Sequence, residues 1–393
     1  MMPDYDALII GGGPAGATTG ALLARAGWRV AVAERARFPR RKVCGEFVSA
    51  PSWTLLRALG IDARSAGPAI RRIALYADDA SLDVPMPAAR DGWGHALGRD
   101  VLDTALLACA ASHGADVLQP CSVRSVERIG GVHACTTGAG ERIRARIVVA
   151  AHGSWETGPL PTQPPRRQRR PKDLLAFKAH FRDARLARHT MPLLLFAGGY
   201  GGMVHTDQDR LSLSLCIRRD RLAECRRAVA AGTSAGDAVL ARLLASCGGV
   251  REALRGATRD GPWLAAGPIR PGIRGHATPG IFRVGNAMGE AHPLVAEGIN
   301  MAIQSAWLLT TLLTRHGVVL RGAAADDALH AAARAYVAAY RRSFALRIRA
   351  AACFAMLAVH EPTRVAMSAA VRHAPALLAL GARWSGKTRP LTP

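Results

Sequence analysis

The sequence is poor in lysine, which stands only at Lys42, Lys172, Lys178 and Lys387, and poor in acid, with 29 Asp and Glu against 52 Lys and Arg. Arginine therefore carries nearly all of a formal charge of +23. Such a bias follows from genomic base composition, or from attraction to anions: a nucleotide, an acidic carrier protein or an anionic membrane face. No basic cluster is joined to a reading element, so no nucleic-acid partner is expected. The eight cysteines (Cys44, Cys109, Cys121, Cys135, Cys216, Cys225, Cys247, Cys353) have no C-x-x-C spacing and no histidine cluster beside them. That pattern gives no metal site and fits reduced thiols in the cytoplasm. No charged stretch followed by an apolar one opens the chain, so no secretory leader is expected. The longest apolar run, 301–314, is too short to span a bilayer and reads as an internal helix. No Ser-His-Asp set or paired carboxylates are evident. At 393 residues and 49% hydrophobic, the chain has material for one large or two ordinary domains.

What is present begins at once. Ala7-Leu-Ile-Ile10 is an apolar run of strand type, followed by Gly11, Gly13 and Gly16 in G-x-G-x-x-G spacing and then a helical pattern. Gly11 permits the tight turn, Gly13 lets the backbone approach a pyrophosphate, and Gly16 lets the helix pack on the strand. The helix opens near Pro14 and Ala15, where its free amides favour phosphate. A second strand, 29–33, ends in Glu34, placed to accept hydrogen bonds from a ribose.

A second stretch lies far downstream. A strand, 280–284, leads through Gly285-Asn286 to Pro293 and a helix starting near Glu297. Such a helix start carries partial positive charge, suited to the N1–C2=O edge of a reduced isoalloxazine. Asn286 suits a ribityl hydroxyl.

Together these stretches resemble the FAD enzymes built like p-hydroxybenzoate hydroxylase, and within them the geranylgeranyl reductase branch. Members carry G-D-A-A-G…P-x-x-G-E-G-I; this chain has Gly285-Asn-Ala-Met-Gly289…Pro293-Leu-Val-Ala296-Glu297-Gly298-Ile299. Lys42-Val-Cys44-Gly45-Glu46 and an arginine-led helix from Arg99 also match. The similarity covers roughly residues 5 to 310. Three positions depart: Asn286 for the usual Asp, Ala296 for a glycine as a mild change, and Ala151-His152-Gly153-Ser154-Trp155-Glu156 where the hydroxylases carry D-G. The last puts hydroxylase-style handling of NADPH in doubt.

The resemblance implies an α/β fold: a Rossmann-like, GR2-type FAD-binding domain (1–72, 94–155, 263–325), an interleaved β-sheet substrate domain (73–93, 156–262) and a helical C-terminal segment (326–393). It implies cofactor contacts from Arg35, Lys42, Cys44, Gly45, Arg99, Val123, Gly285, Pro293, Gly298, Ile299 and Asn300 beside those already read. Cys44, Glu46 and His292 are the candidate catalytic groups; Glu46 serves as acid or base if burial raises its pKa. The alternative for Cys44 is a packed small hydrophobe, for Glu46 a helix cap, and for His292 a structural role. Tyr200 and Met203 are candidate pocket residues, with Gly198–Gly202 as a plain loop in the alternative. The linker 161–171 reads as a solvated crossover or, through Arg166–Arg170, an anion contact. Tyr336, Tyr340, Phe344 and Ile348 form a helical stripe flanked by arginines, either packed or a basic amphipathic surface.

The expected activity is flavin hydride transfer on a lipophilic, isoprenoid- or polyketide-like substrate, free or carrier-bound, by double-bond reduction or dehydrogenation. NAD(P)H or another reductant is the expected donor, and membrane contact is at most peripheral. The alternatives are a monooxygenase hydroxylating an aromatic or polyketide ring through C4a-hydroperoxyflavin, and a non-catalytic flavin-binding partner. A halogenase needs a W-x-W-x-I-P segment, and none is present.

Overall fold

The computed structural model describes residues 3–62, 67–154, 157–165, 168–275, 278, 280–315 and 324–387. Trp155, Glu156, Arg166 and Arg167 lie outside the described residues.

Two seven-stranded sheets form the body. Tyr5–Ile10 is the centre of the first, paired in parallel with Val30–Ala33 on one side and Arg142–Ala150 on the other. Its apolar run is continuous because both faces are covered. Ala7 and Ile9 face the helical core, while Leu8 and Ile10 face Val123, Cys135 and Ile143. Asp116–Leu118 and Ile281–Arg283 extend the sheet in parallel, and Val132–Thr137 with Val123–Ile129 form its antiparallel wing. Helix Pro14–Arg25 follows the first strand at once, with proline at its start. It packs against helices Arg99–Ser112 and Gly298–Arg315. A Cβ at Gly16 would sit 1.8 Å from the Gly11 carbonyl oxygen, so only glycine allows this helix so close to the strand.

The second sheet runs Thr258–Ile269, Leu174–Arg182, Leu211–Arg218, Gly199–His205, Thr190–Phe196, Arg72–Ala77, Ala80–Pro85. Its first strand continues past the expected return at 263 and stays in this sheet to Ile269. The two-residue period sorts Leu174–Arg182 into two faces. Phe177, Ala179 and Phe181 join Val239 and Leu243 of helix Ala235–Ser246 in one core. Ala176, Lys178 and His180 therefore face the first layer. Gly199–Gly202 is strand, not loop, because its neighbours press close: a Cβ at Gly201 would lie 2.6 Å from the Ser214 carbonyl oxygen.

The helix Ala324–Val359 buries Tyr336, Tyr340, Phe344 and Ile348 in the main core against Gly298–Arg315. The aromatic stripe is thus packed and is not a membrane-binding face. Two more helices, Glu361–His373 and Ala376–Trp384, follow. Among the described residues no single helix is long and apolar enough to cross a membrane.

Candidate active site

Between the sheets lies a cavity of about 840 Å³. Gly11, Gly13, Pro14, Ala15, Glu34, Arg35, Lys42, Cys44, Gly45, Arg99, Val123, Gly285, Asn286, Pro293, Gly298 and Ile299 all line it. Residues 157–160, just before the linker, and Gln163 within it also line the cavity.

The first strand–helix turn is built around Glu34. Its Oε2 accepts from the Gly12 amide at 2.7 Å and its Oε1 from the Ala36 amide at 2.9 Å. Each oxygen keeps a further lone pair for a ribose hydroxyl. Arg99 is buried and clamped by Asp103, with Nε and Nη2 each 2.7 Å from a carboxylate oxygen. Burial disfavours its charge, but Asp103 outweighs this and keeps the guanidinium firmly protonated. Its Nη2 stands 3.8 Å from where a Gly13 Cβ would be, beside the Cys44 side chain. The Asn286 amide donates to Glu290 at 3.3 Å, and Arg274 holds Glu290 at 3.0 Å.

Glu46 departs most from expectation. It has a left-handed backbone (φ 56°) and is wholly buried. Its carboxylate accepts from the Arg99 amide at 2.9 Å and from His180 Nε2 at 2.9 Å, and pairs with the buried Lys178. Burial alone raises the pKa, but the Lys178 charge and the bond and charge of His180 outweigh it and hold the carboxyl well below the usual range. Glu46 is a fixed anion, not an acid or base with a raised pKa. Lys178 and His180 were missed as site residues. Their signal was two polar side chains, two residues apart, on a strand face the pattern would bury.

His292, Tyr200, Met203, Gly16 and Asn300 do not line the cavity. His292 Nδ1 is 2.6 Å from the Tyr200 hydroxyl, and burial pushes its pKa down to about 4. It is neutral and already engaged, so the expected proton donor is a structural partner of Tyr200. Met203 sits on the opposite face of the strand from Tyr200, packed with Phe177 and Leu213. Asn300 Oδ1 accepts from the Ser49 amide at 2.8 Å, tying helix Gly298–Arg315 to the loop before residue 50. His152, in the wall where the hydroxylases carry aspartate, is 2.9 Å from Thr162 Oγ1, and burial lowers its pKa to about 4.

The open space has the form a flavin dinucleotide needs. A Cβ at Gly45 or Gly298 would meet nothing within 4 Å, and one at Gly13 only Arg99. All three project into the cavity, one at the start of an 18-residue helix whose first amides point there.

The chain's residues 4–187 match the model of the FAD binding domain family. It is 26% identical to a menaquinone reductase of Mycolicibacterium smegmatis, over 80% of this chain and 77% of that protein. It is 31% identical to a digeranylgeranylglycerophospholipid reductase of Picrophilus torridus, over 39% of this chain and 40% of that protein. The chain is an FAD-dependent enzyme with an FAD binding domain over its first part. The structure of a flavin-dependent brominase shares this enzyme's fold, with a TM-score of 0.73, 17% identity and coverage of 98% of this chain and 93% of that one.

The residues fit FAD. Gly11–Ala15 and the amides of Pro14–Arg25 suit the pyrophosphate, Glu34 the ribose, and the start of Gly298–Arg315 the flavin's electron-rich edge.

Proposed function

We propose that this enzyme transfers hydride between FAD and a double bond of a lipophilic, isoprenoid- or polyketide-like substrate. One observation carries the reading: the second-sheet wall of the cavity is Ala176, Leu215, Cys216, Leu264, Ala265, Ala266 and Ile269, all apolar, interrupted by the hydroxyl of Ser214. Lys178 and His180 share that face but are held by Glu46, so the wall offers a substrate no free charge. The names of the menaquinone and digeranylgeranylglycerophospholipid reductases, both lipids by name, support it. Bound FAD supplies the hydride, drawn from NAD(P)H or another reductant. The chain supplies position and a proton: Gly45 leaves room for close approach, and the Cys44 thiol in the wall donates the proton that completes reduction. Ser214 Oγ donates to the Cys44 carbonyl at 2.7 Å and fixes that segment against the second sheet.

A second reading, oxygen-dependent modification of an aromatic or polyketide ring, is favoured by the whole-chain likeness to the brominase fold. The two separate in one experiment. The FAD-loaded enzyme is reduced anaerobically and mixed with a naphthoquinone bearing an isoprenoid tail. Return of oxidised flavin absorbance without oxygen is expected, with a product that stays heavier by two hydrogens after air has returned any quinol to quinone. A product formed only after oxygen is admitted, and heavier by one oxygen, would overturn hydride transfer.

A further inference from the structure

The last helices carry apolar surface left uncovered among the described residues. Met356 is 67% exposed, Val365 50%, Leu377 44%, Leu380 40% and Trp384 56%. In Ala376–Trp384, Leu377, Leu380 and Trp384 recur at three- and four-residue spacing and so share one face. Leu378 and Ala382 form the other face, packed with Ile73, Val84 and Met86. The outer face opens into a shallow apolar hollow of about 410 Å³ shared with Pro87, Ala374 and Arg383. Trp93, whose indole donates to the Met86 carbonyl at 3.2 Å, lies at the same edge with the Arg71 guanidinium over its ring. On the long helix, Arg342, Leu346, Arg349, Cys353 and Met356 repeat the spacing, all exposed.

The charge there has one sign. Beyond Asp327 the sequence has a single acid, Glu361, and it is paired with Arg364 at 3.4 Å. Arg341, Arg342, Arg349, Arg372 and Arg383 are all exposed.

We propose that this surface docks the enzyme on an anionic lipid bilayer, with Glu361–His373 and Ala376–Trp384 lying in the headgroup plane. Apolar side chains with a tryptophan at their edge, ringed by arginine, match an interface that is apolar within and negative at its surface. A second copy of the chain fits less well, since two such surfaces repel. Beneath the patch, Leu378, Met367 and Val371 pack in one cluster with Tyr200 and with Ala176, Cys216 and Ile269, and these last three line the flavin cavity. One continuous apolar cluster thus joins the bilayer face to the cavity wall. The docking deepens the lipophilic-substrate reading, but its assay contains no substrate, so its failure leaves that reading standing.

The test floats the FAD-loaded enzyme with vesicles of phosphatidylcholine alone or mixed with phosphatidylglycerol. Binding to the mixed vesicles, weakened by salt, is expected. The triple variant Leu377→Ser/Leu380→Ser/Trp384→Ser should lose about tenfold or more of the partitioning, with its flavin spectrum and thermal midpoint retained. Because three changes risk misfolding, Arg372→Glu/Arg383→Glu, both exposed, should weaken binding to mixed vesicles alone. Absence of native binding, or binding by both variants as strong as that of the native enzyme, would overturn the proposal. So would a concentration-dependent dimer abolished by the triple variant without vesicle binding.

Discussion

Two glutamates flank the flavin cavity, each almost completely buried and each holding one of the four lysines, yet their carboxyls shift in opposite directions. For Glu46, burial is outweighed by Lys178 and His180, and the pKa falls well below the usual range. For Glu297, burial outweighs the charges of Lys387 and Arg347, and the pKa rises. Depth does not separate them, since they are 0% and 1% exposed. Partners do. Glu46 has the Lys178 ammonium, the His180 ring nitrogen and a backbone amide on its oxygens. Glu297 has Lys387 at 3.3 Å, which also donates to the Val295 carbonyl at 2.5 Å, while Glu297 Oε2 has no hydrogen-bond partner among the described residues. A buried carboxylate keeps its charge only where its lone pairs are filled.

The largest effect that would break this contrast comes from the lysines. Lys178→Met strands Glu46 and should cost about 3–5 kcal/mol in denaturant unfolding. Lys387→Met should cost clearly less, because burial already raises the Glu297 pKa and makes its charge easier to give up. Equal losses would erase the distinction.

On the nucleotide side, backbone and not charge makes the site, so Gly13→Ala should lower FAD affinity by about tenfold or more by filling the approach space. Gly13 has no close neighbour for the added Cβ, so the apo-protein's thermal midpoint should hold. An affinity unchanged by titration would place the dinucleotide elsewhere.

The pH dependence sharpens the comparison. With its folded pKa raised, Glu297 binds a proton that the unfolded chain releases, so its contribution falls as pH rises from the usual 4.5 through the folded value. Glu297→Gln should therefore gain on the native enzyme over that range. Glu46, with its pKa lowered, contributes stability above the usual 4.5 and loses it only as pH falls through the much lower folded value. Glu46→Gln should therefore fall behind as pH rises. Thermal midpoints that move the same way in both variants would contradict the assignment.

The smallest effect concerns the residue before Glu297. Ala296 has φ 52° where the family pattern it resembles has glycine, a left-handed backbone that side chains resist, so the change is not as mild as the sequence suggested. Ala296→Gly should stabilise by about 0.5–1 kcal/mol in the same unfolding assay, and a loss would show the strain is absent.

The nucleotide half was legible because its constraints are local. Gly11, Gly13, Gly16 and Glu34 fall within one strand–helix–strand unit, and the Gly12–Glu34 bond spans only 22 residues. The alternating strands of the second sheet were legible too, since polar and apolar residues sort by face. Met203 was misread because facing depends on register, and three residues from Tyr200 means the opposite face. The aromatic stripe of Tyr336 to Ile348 carries one pattern for a packed face and a membrane face, and only Gly298–Arg315 lying against it decides.

By itself the sequence determined the flavin dinucleotide cradle, because glycine spacing and a strand-end acid dictate backbone shape over a few turns of chain. Tertiary structure alone decided what the buried side chains beside it are: Glu46 an anion held by His180 from 134 residues away, His292 a neutral partner of Tyr200 from 92 residues away. Charge in a protein interior is set by which groups desolvate and which partner one another, and those meetings are made by packing, not by neighbours in the chain.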